Sequence, residues 1–196
     1  MTEHYFTEKP TSQLKIFKLR TILRNTYIDF FTATGLFSFT DIDKGTQLLI
    51  NKSIIKDKWK VLDLGCGYGI VGVSLKKFSP TLAVTFSDIN QRALELTRKN
   101  LSFHHLEGTA IHSNGFEHID GKFNTILLNP PQTAGKELCF KLITESKEHL
   151  LSKGLLQVVA RHQKGGRELG KKMLETFGNV KETAKGAGYR IYVSQK

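Results

Sequence analysis

The residues of this 196-residue chain best placed to do chemistry lie in Thr125-Ile126-Leu127-Leu128-Asn129-Pro130-Pro131-Gln132, where an apolar run stops at an amide and two prolines. Prolines end a buried strand because they lack the N–H that continues a ladder. That does not account for an amide at the tip. An exocyclic amine on a heteroaromatic base is a poor nucleophile, since its lone pair is delocalised into the ring. Two acceptors facing its N–H groups favour a pyramidal nitrogen with a localised lone pair. The side-chain oxygen of Asn129 and the carbonyl of Pro130 are such a pair, for a proline carbonyl still accepts although its N–H is gone. Holding that nitrogen in line with an electrophile would supply the rest of the rate. Once alkylated, the nitrogen can lose its proton to water, so no general base is required.

A second cluster is Asp63-Leu64-Gly65-Cys66-Gly67-Tyr68-Gly69. In an open α/β sheet, ligands sit beyond the carboxyl ends of the strands, and glycines there let the backbone turn tightly and approach a ligand. Gly67 to Gly72 also fits the dinucleotide pattern G-x-G-x-x-G, with Asp88 about twenty residues on, so the turn alone leaves a dehydrogenase open. Asp63 argues otherwise. A carboxylate two residues before Gly65 repels a pyrophosphate and attracts a cationic sulfonium and amino group. Together with the Asn-Pro-Pro stop, this points to S-adenosylmethionine (SAM). Asp88 and Ile89 are expected at the ribose, although Asp88 could instead cap the next helix, a role Asn90 fills equally well. Ser113-Asn114 is expected near the adenine, or is an ordinary turn before Gly115. The expected cofactor set is Asp63, Gly65, Cys66, Gly67, Gly69, Asp88, Ile89, Ser113, Asn114 and Asn129.

Charge is the informative bulk property: 29 Lys and Arg against 18 Asp and Glu give +11. From Lys153 to Lys196 there are ten basic residues and three acids, Glu168, Glu175 and Glu182. Such an excess suits phosphate, because neutralising each phosphate releases condensed counterions, but it also suits a plain solvated surface. Lys164-Gly165-Gly166-Arg167 opens a helix beside the expected active edge; it could hold an RNA phosphate or simply start that helix. His104, His105, His112 and His118 fit no zinc spacing and are expected to be loop histidines, so no metal is expected. Cys66 and Cys139 give no disulfide framework, and no apolar leader or membrane-length run is present. A cytoplasmic setting is expected.

These residues need a scaffold. Leu14 to Arg20 alternates apolar and basic residues, and Tyr27 to Phe31 follows the turn-like Arg24-Asn25-Thr26, which predicts a β-hairpin with one basic face. Asp41 to Ile55 reads as a helix. Strands are predicted over Val61 to Leu64, Leu82 to Ser87, Thr109 to His112, Phe123 to Leu128 and Leu155 to Ala160. Helices are predicted over Ile70 to Phe78, Gln91 to Asn100, Lys136 to Leu151 and Gly166 to Thr176. Strands separated by such helices need crossovers, so the sheet is mainly parallel. The closing strands, Val180 to Ala184 and Tyr189 to Ser194, are joined too tightly for a crossover and should be antiparallel. The expected fold is one α/β Rossmann-like domain over 1–196, with a seven-stranded, mainly parallel sheet, an antiparallel last strand and helices on both faces. A short β-extension fills 1–40 and the catalytic core 41–196.

The stretch from Gly65 through Asn129-Pro130-Pro131 resembles class I methyltransferases that act on exocyclic or amide nitrogens. Gly35-Leu36-Phe37-Ser38, Asp43-Lys44-Gly45-Thr46-Gln47-Leu48-Leu49 and Asp63-Leu64-Gly65-Cys66-Gly67 are similar to the catalytic domain of the small-subunit ribosomal RNA guanine-N2 methyltransferases, as are Ser113-Asn114 and Lys185-Gly186-Ala187-Gly188-Tyr189-Arg190. The likeness runs from about Tyr5 and looks closest to short, single-domain archaeal members. It implies SAM as cofactor, a guanine amine in ribosomal or transfer RNA as substrate, and Asn129 as the catalytic amide; a monomer and a weak dimer both stay open. Relatives usually carry an aromatic after the two prolines, where this chain has Gln132. Phe37 or Phe39 could supply the stacking face instead, although both could pack in the hairpin core. The expected substrate-side residues are Phe37, Pro131, Gln132, Lys164 and Arg167. Methylation of a protein glutamine, a non-catalytic RNA-binding module and a dehydrogenase are the competing readings.

Overall fold

The computed structural model describes residues 13–196. The readings of the N-terminal leader and of the likeness beginning at Tyr5 fall largely on 1–12, outside the described residues. The hairpin forms as expected from β1 (Ile16–Leu23) and β2 (Thr26–Ala33). Its two-residue turn, Arg24-Asn25, has φ of 47° and 59°, as a type I′ turn requires. Alternation turns Ile28, Phe30 and Thr32 inward. On the outer face Asp29 stands opposite Arg20 and pairs with both Lys18 and Arg20, at 2.8 and 2.7 Å. The expected basic face is therefore partly neutralised by a cross-strand acid.

The hairpin is held to the core by a buried amide. Asn100 accepts the Phe31 N–H (2.7 Å) and donates to the carbonyls of Phe31 (2.9 Å) and Tyr68 (2.8 Å). One side chain thus links β2, the helix that carries Asn100 and the glycine turn.

After the hairpin come α1 (Lys44–Lys52), β3 (Lys60–Leu64), α2 (Ile70–Phe78), β4 (Ala83–Asp88), α3 (Gln91–Phe103), β5 (Thr109–His112), β6 (Phe123–Leu128), α4 (Lys136–Ser146), β7 (Leu150–Arg161), α5 (Arg167–Phe177), β8 (Lys181–Gly186) and β9 (Tyr189–Gln195). The seven-stranded sheet has the order β5-β4-β3-β6-β7-β9-β8. Strands β3 to β7 pair in parallel, and β9 runs antiparallel to both β7 and β8. Helices pack on both faces over two apolar clusters, one around Val61, Val84 and Phe86, the other around Leu62, Ile126 and Val158.

Two expected helices are shorter than their apolar patterns. α1 starts at Lys44 because Asp43, with φ −54° and ψ 136°, turns its carboxylate to the Thr46 N–H at 3.0 Å and caps the helix. α4 stops at Ser146, and the next backbone bonds (Lys147 to Thr144, Glu148 to Glu145, His149 to Ser146) tighten into turns. Leu150, inside the predicted Lys136–Leu151 helix, is fully buried and pairs with Phe123 as the start of β7. A short apolar run suits either period, and sheet pairing decides it.

Candidate active site

The carboxyl ends of β3, β4 and β6 meet above the sheet, where order reverses around β3, and the loops leaving them enclose a cavity of about 190 Å³. Gly65, Gly67 and Gly69 bend the first loop with φ of 69°, 58° and 83°, the left-handed region where a side chain is strained. The loop is held from below: the N–H groups of Gly65 and Cys66 both reach the Ser87 carbonyl, at 2.8 and 2.9 Å. Gly72 serves packing, since a Cβ there would come within 2.3 Å of the Phe86 ring.

Asp63 and Asp88 frame this loop. Asp63 is 3% exposed, and its Oδ2 accepts the Gly72 N–H at 2.8 Å. Burial pushes its carboxyl up to about 7; the Gly72 bond acts downward and the Asp88 charge adds to the rise. No cationic side chain pairs with it among the described residues. Asp88 accepts the Gly67 N–H (2.8 Å) and the Asn90 N–H (2.9 Å), and burial raises its pKa too, against backbone hydrogen bonds and nearby His112. The cap of α3 is Asn90, whose oxygen accepts the Ala93 N–H at 3.3 Å. Cys66 is buried and its thiol is pushed well above the usual range by desolvation, so it stays protonated.

Asn129 lies at the other wall. Its Nδ2 donates to Thr46 Oγ1 at 3.0 Å and to Asp43 Oδ2 at 3.4 Å, both from the first turn of α1. A carboxylate only accepts, which fixes the amide's orientation. Oδ1 makes no hydrogen bond among the described residues, and Asn129 lines the cavity. Asp43 is itself gripped: Tyr189 donates to its Oδ1 at 2.6 Å, and Arg161 Nε donates to the Tyr189 hydroxyl at 2.9 Å. Gly45 makes room for this chain, since a Cβ there would stand 2.6 Å from the Tyr189 ring. Arg161, Tyr189, Asp43 and Thr46 thus orient the amide from behind, and the sequence reading gave none of them a role. Asp43 and Tyr189 did stand in the quoted motifs; the contact across 146 positions is what was hidden.

Pro130 also lines the cavity, and its carbonyl already accepts the Gln132 N–H at 2.8 Å. Pro131 sits between at φ −73°, ψ 76°, an inverse γ-turn that a proline ring favours. One lone pair of the Pro130 carbonyl remains.

Other expected residues divide. Ile89, Ser113, Asn114, Phe37 and Pro131 line the cavity. Ser113 Oγ serves its own turn, donating to the Gly115 carbonyl and accepting the His118 N–H, and the Asn114 amide is held by Glu117. Phe37 is 42% exposed and lines the cavity, and Phe39 packs on Phe17. Gln132 is not brought to the cavity. Its Nε2 donates to the Lys164 carbonyl and its Oε1 accepts the Arg161 N–H, so it clamps the irregular turn His162–Gly166. Lys164 and Arg167, adjacent in the reading, part company: Lys164 faces a groove beside the cavity, and Arg167 turns to His162. Of the expected loop histidines, His104 instead ends α3, half-buried against Phe30 with its Nε2 on the Asp29 carbonyl.

The family model for the methyltransferase small domain matches residues 27–193. The chain belongs to this family. Ribosomal RNA small subunit methyltransferase C of Haemophilus influenzae is 36% identical over 190 residues, 94% of this chain and 56% of that one. The Bacillus subtilis protein YbxB is 34% identical over an alignment of 202 residues that covers both chains fully. This match, which covers both chains fully, is to a bacterial protein. The chain spans about half the length of the first-named methyltransferase relatives. In structure, it is similar to the Thermus thermophilus 16S rRNA N2 G1207 methyltransferase in complex with AdoMet and guanosine. The TM-score is 0.81 at 21% identity, over 95% of this chain and 52% of that one. For this member of the methyltransferase small domain family, the mainly parallel seven-stranded fold is thereby shown.

Proposed function

We propose that the chain transfers a methyl group from SAM to the exocyclic amine of a base in RNA, with guanine N2 of small-subunit ribosomal RNA as the target. The observation that carries this is the set of Asn129: its amide nitrogen is tied back to α1, its oxygen has no hydrogen-bond partner among the described residues, and it lines a cavity that also holds two desolvated carboxylates. The small-subunit ribosomal RNA activity of the Haemophilus relative supports the RNA class, and the guanine N2 activity of the Thermus neighbour supports the base.

The residues present fit SAM. Asp63 is buried without a cationic partner, so a bound cation would restore the charge that burial suppresses. Asp88 can accept from ribose hydroxyls besides the backbone N–H groups of Gly67 and Asn90. When bound, SAM supplies an electrophilic methyl on a positively charged sulfur. The chain's own work is positional. Asn129 Oδ1 and the remaining lone pair of Pro130 accept the two N–H groups of the amine and hold its lone pair toward the donor. Phe37 offers a face for the ring at the mouth. The proton leaves to water, and no metal or general base is assigned.

A protein glutamine amide would suit the same acceptors, but the net charge of +11 and the cationic groove beside the cavity favour nucleic acid. Incubation with methyl-labelled SAM and unmodified ribosomal or transfer RNA should label a guanine in a nuclease-sensitive product. Asn129→Ala should lose turnover by roughly 10²–10³, the range for removal of one preorganised polar group, with calorimetric SAM affinity nearly intact. Normal methylation by that variant would refute the mechanism, and failure of the wild type to bind SAM would favour a non-catalytic module.

A further inference from the structure

A second concavity, about 910 Å³, opens beside the catalytic cavity and shares Ser38, Ile42 and Asp43 with it. Three separate chain segments wall it: the start of α1, the irregular turn after β7, and the β8–β9 turn. Each brings cations. Lys44 opens α1, Arg161 and Lys164 flank the second segment, and Lys185 and Arg190 flank the third. The acids facing the same space are Asp41 and Asp43. Asp43 is occupied by Thr46 and Tyr189, and Asp41 by the Ile42 N–H.

Arg190 is ion-paired with Glu182, and Arg161 is bonded to Tyr189 and lies over its ring at 5.3 Å. Lys44, Lys164 and Lys185 are exposed and have no carboxylate partner among the described residues. Three ammonium groups without an ion-pair partner among the described residues, far apart in sequence, therefore converge on the groove beside Asn129, and with Arg161 they outnumber the carboxylates of Asp41 and Asp43. Among the described residues the rings lining this groove are Tyr189, covered by Arg161, and His162, stacked on Tyr192. The groove's chemistry is that of point charges for phosphate, not of base readout.

We infer that this groove holds the phosphodiesters of single-stranded RNA flanking the target nucleotide, with Lys44, Lys164 and Lys185 as the phosphate contacts. The inference rests on the RNA reading above and adds where the strand runs: from the mouth at Phe37 across the start of α1 to the β8–β9 turn. Gln132 acquires a purpose here, as the clamp that sets the turn bearing Lys164.

The test is fluorescence anisotropy of the full chain with a labelled, unstructured RNA oligonucleotide at a series of salt concentrations. The groove pair Lys44→Gln with Lys185→Gln is compared with a control pair of equal charge change, Lys52→Gln with Lys77→Gln, exposed at the far ends of α1 and α2. Each lost phosphate contact lowers the slope of log K against log salt by ~0.7 for a single strand, so the groove pair should lose ~1.4. The control pair should keep the wild-type slope, and SAM affinity should be unchanged in both. Equal slopes for groove pair and wild type, or equal losses in both pairs, would overturn the groove while leaving the RNA reading intact. A wild type that binds no RNA at any salt would overturn both.

Discussion

Asp63 makes a prediction about pH that the sequence could not have given. Its carboxyl is buried, accepts only one backbone N–H and titrates at about 7. A cationic cofactor favours the ionised form, so binding below that pH must first remove a proton. At pH 6 about a tenth of the molecules are ionised and at pH 8 about nine-tenths, which gives roughly tenfold tighter SAM binding across that interval, or ~1.4 kcal/mol. Asp88, also raised by burial and facing His112, shifts in the same direction and steepens the low-pH end. The cofactor's own amino group titrates as well, so the control is Asp63→Asn, which keeps every other titration and loses the Asp63 step. Without cofactor the sign reverses for stability. The folded pKa lies above the unfolded value of ~3.9, so the stabilisation from a neutral Asp63 is full below pH ~4 and is lost as pH rises toward 7. Isothermal titration calorimetry at several pH values, in buffers of different ionisation enthalpy, reads both the affinity and the proton released. Wild-type affinity that is flat from pH 6 to 8, or an Asp63→Asn variant with the same rise, would refute the reasoning.

The chain behind Asn129 is tested by Tyr189→Phe, which removes the 2.6 Å bond to Asp43 and leaves the ring packing. It should lower kcat with little change in SAM affinity, and Asn129→Ala combined with it should cost no more than Asn129→Ala alone; additive losses would uncouple the two. Phe37→Ala removes a partly exposed ring that lines the cavity and should weaken RNA binding by roughly 1–3 kcal/mol, read by anisotropy. Gly45→Ala puts a Cβ 2.6 Å from the Tyr189 ring and should destabilise the fold by about 1–3 kcal/mol in urea unfolding, besides lowering turnover through the displaced ring.

Much of this protein is legible because local patterns specify it. The strand–glycine–helix unit at Asp63–Phe78 follows from an apolar run, then residues able to adopt positive φ, then a helical period; no distant contact is needed to predict it. The stop at Asn129-Pro130-Pro131 is equally local, since proline ends a ladder wherever it falls. Where a short apolar run fits both periods, as at Leu150-Leu151, sequence is ambiguous, and pairing with Phe123 assigns it to β7.

The orientation of the Asn129 amide belongs to tertiary structure alone. A side chain's type shows what it can donate or accept, but not which atoms another element brings near it. Asn129 meets α1 across more than eighty positions, and Tyr189 reaches Asp43 from the last strand. The antiparallel insertion of β9 beside β7 is what carries Tyr189 and Arg161 there together. The same placement sorted Lys164 from Arg167. Sequence supplied the reactive groups and their immediate turns through short-range backbone preference, while their aim depended on long-range packing that no local pattern encodes.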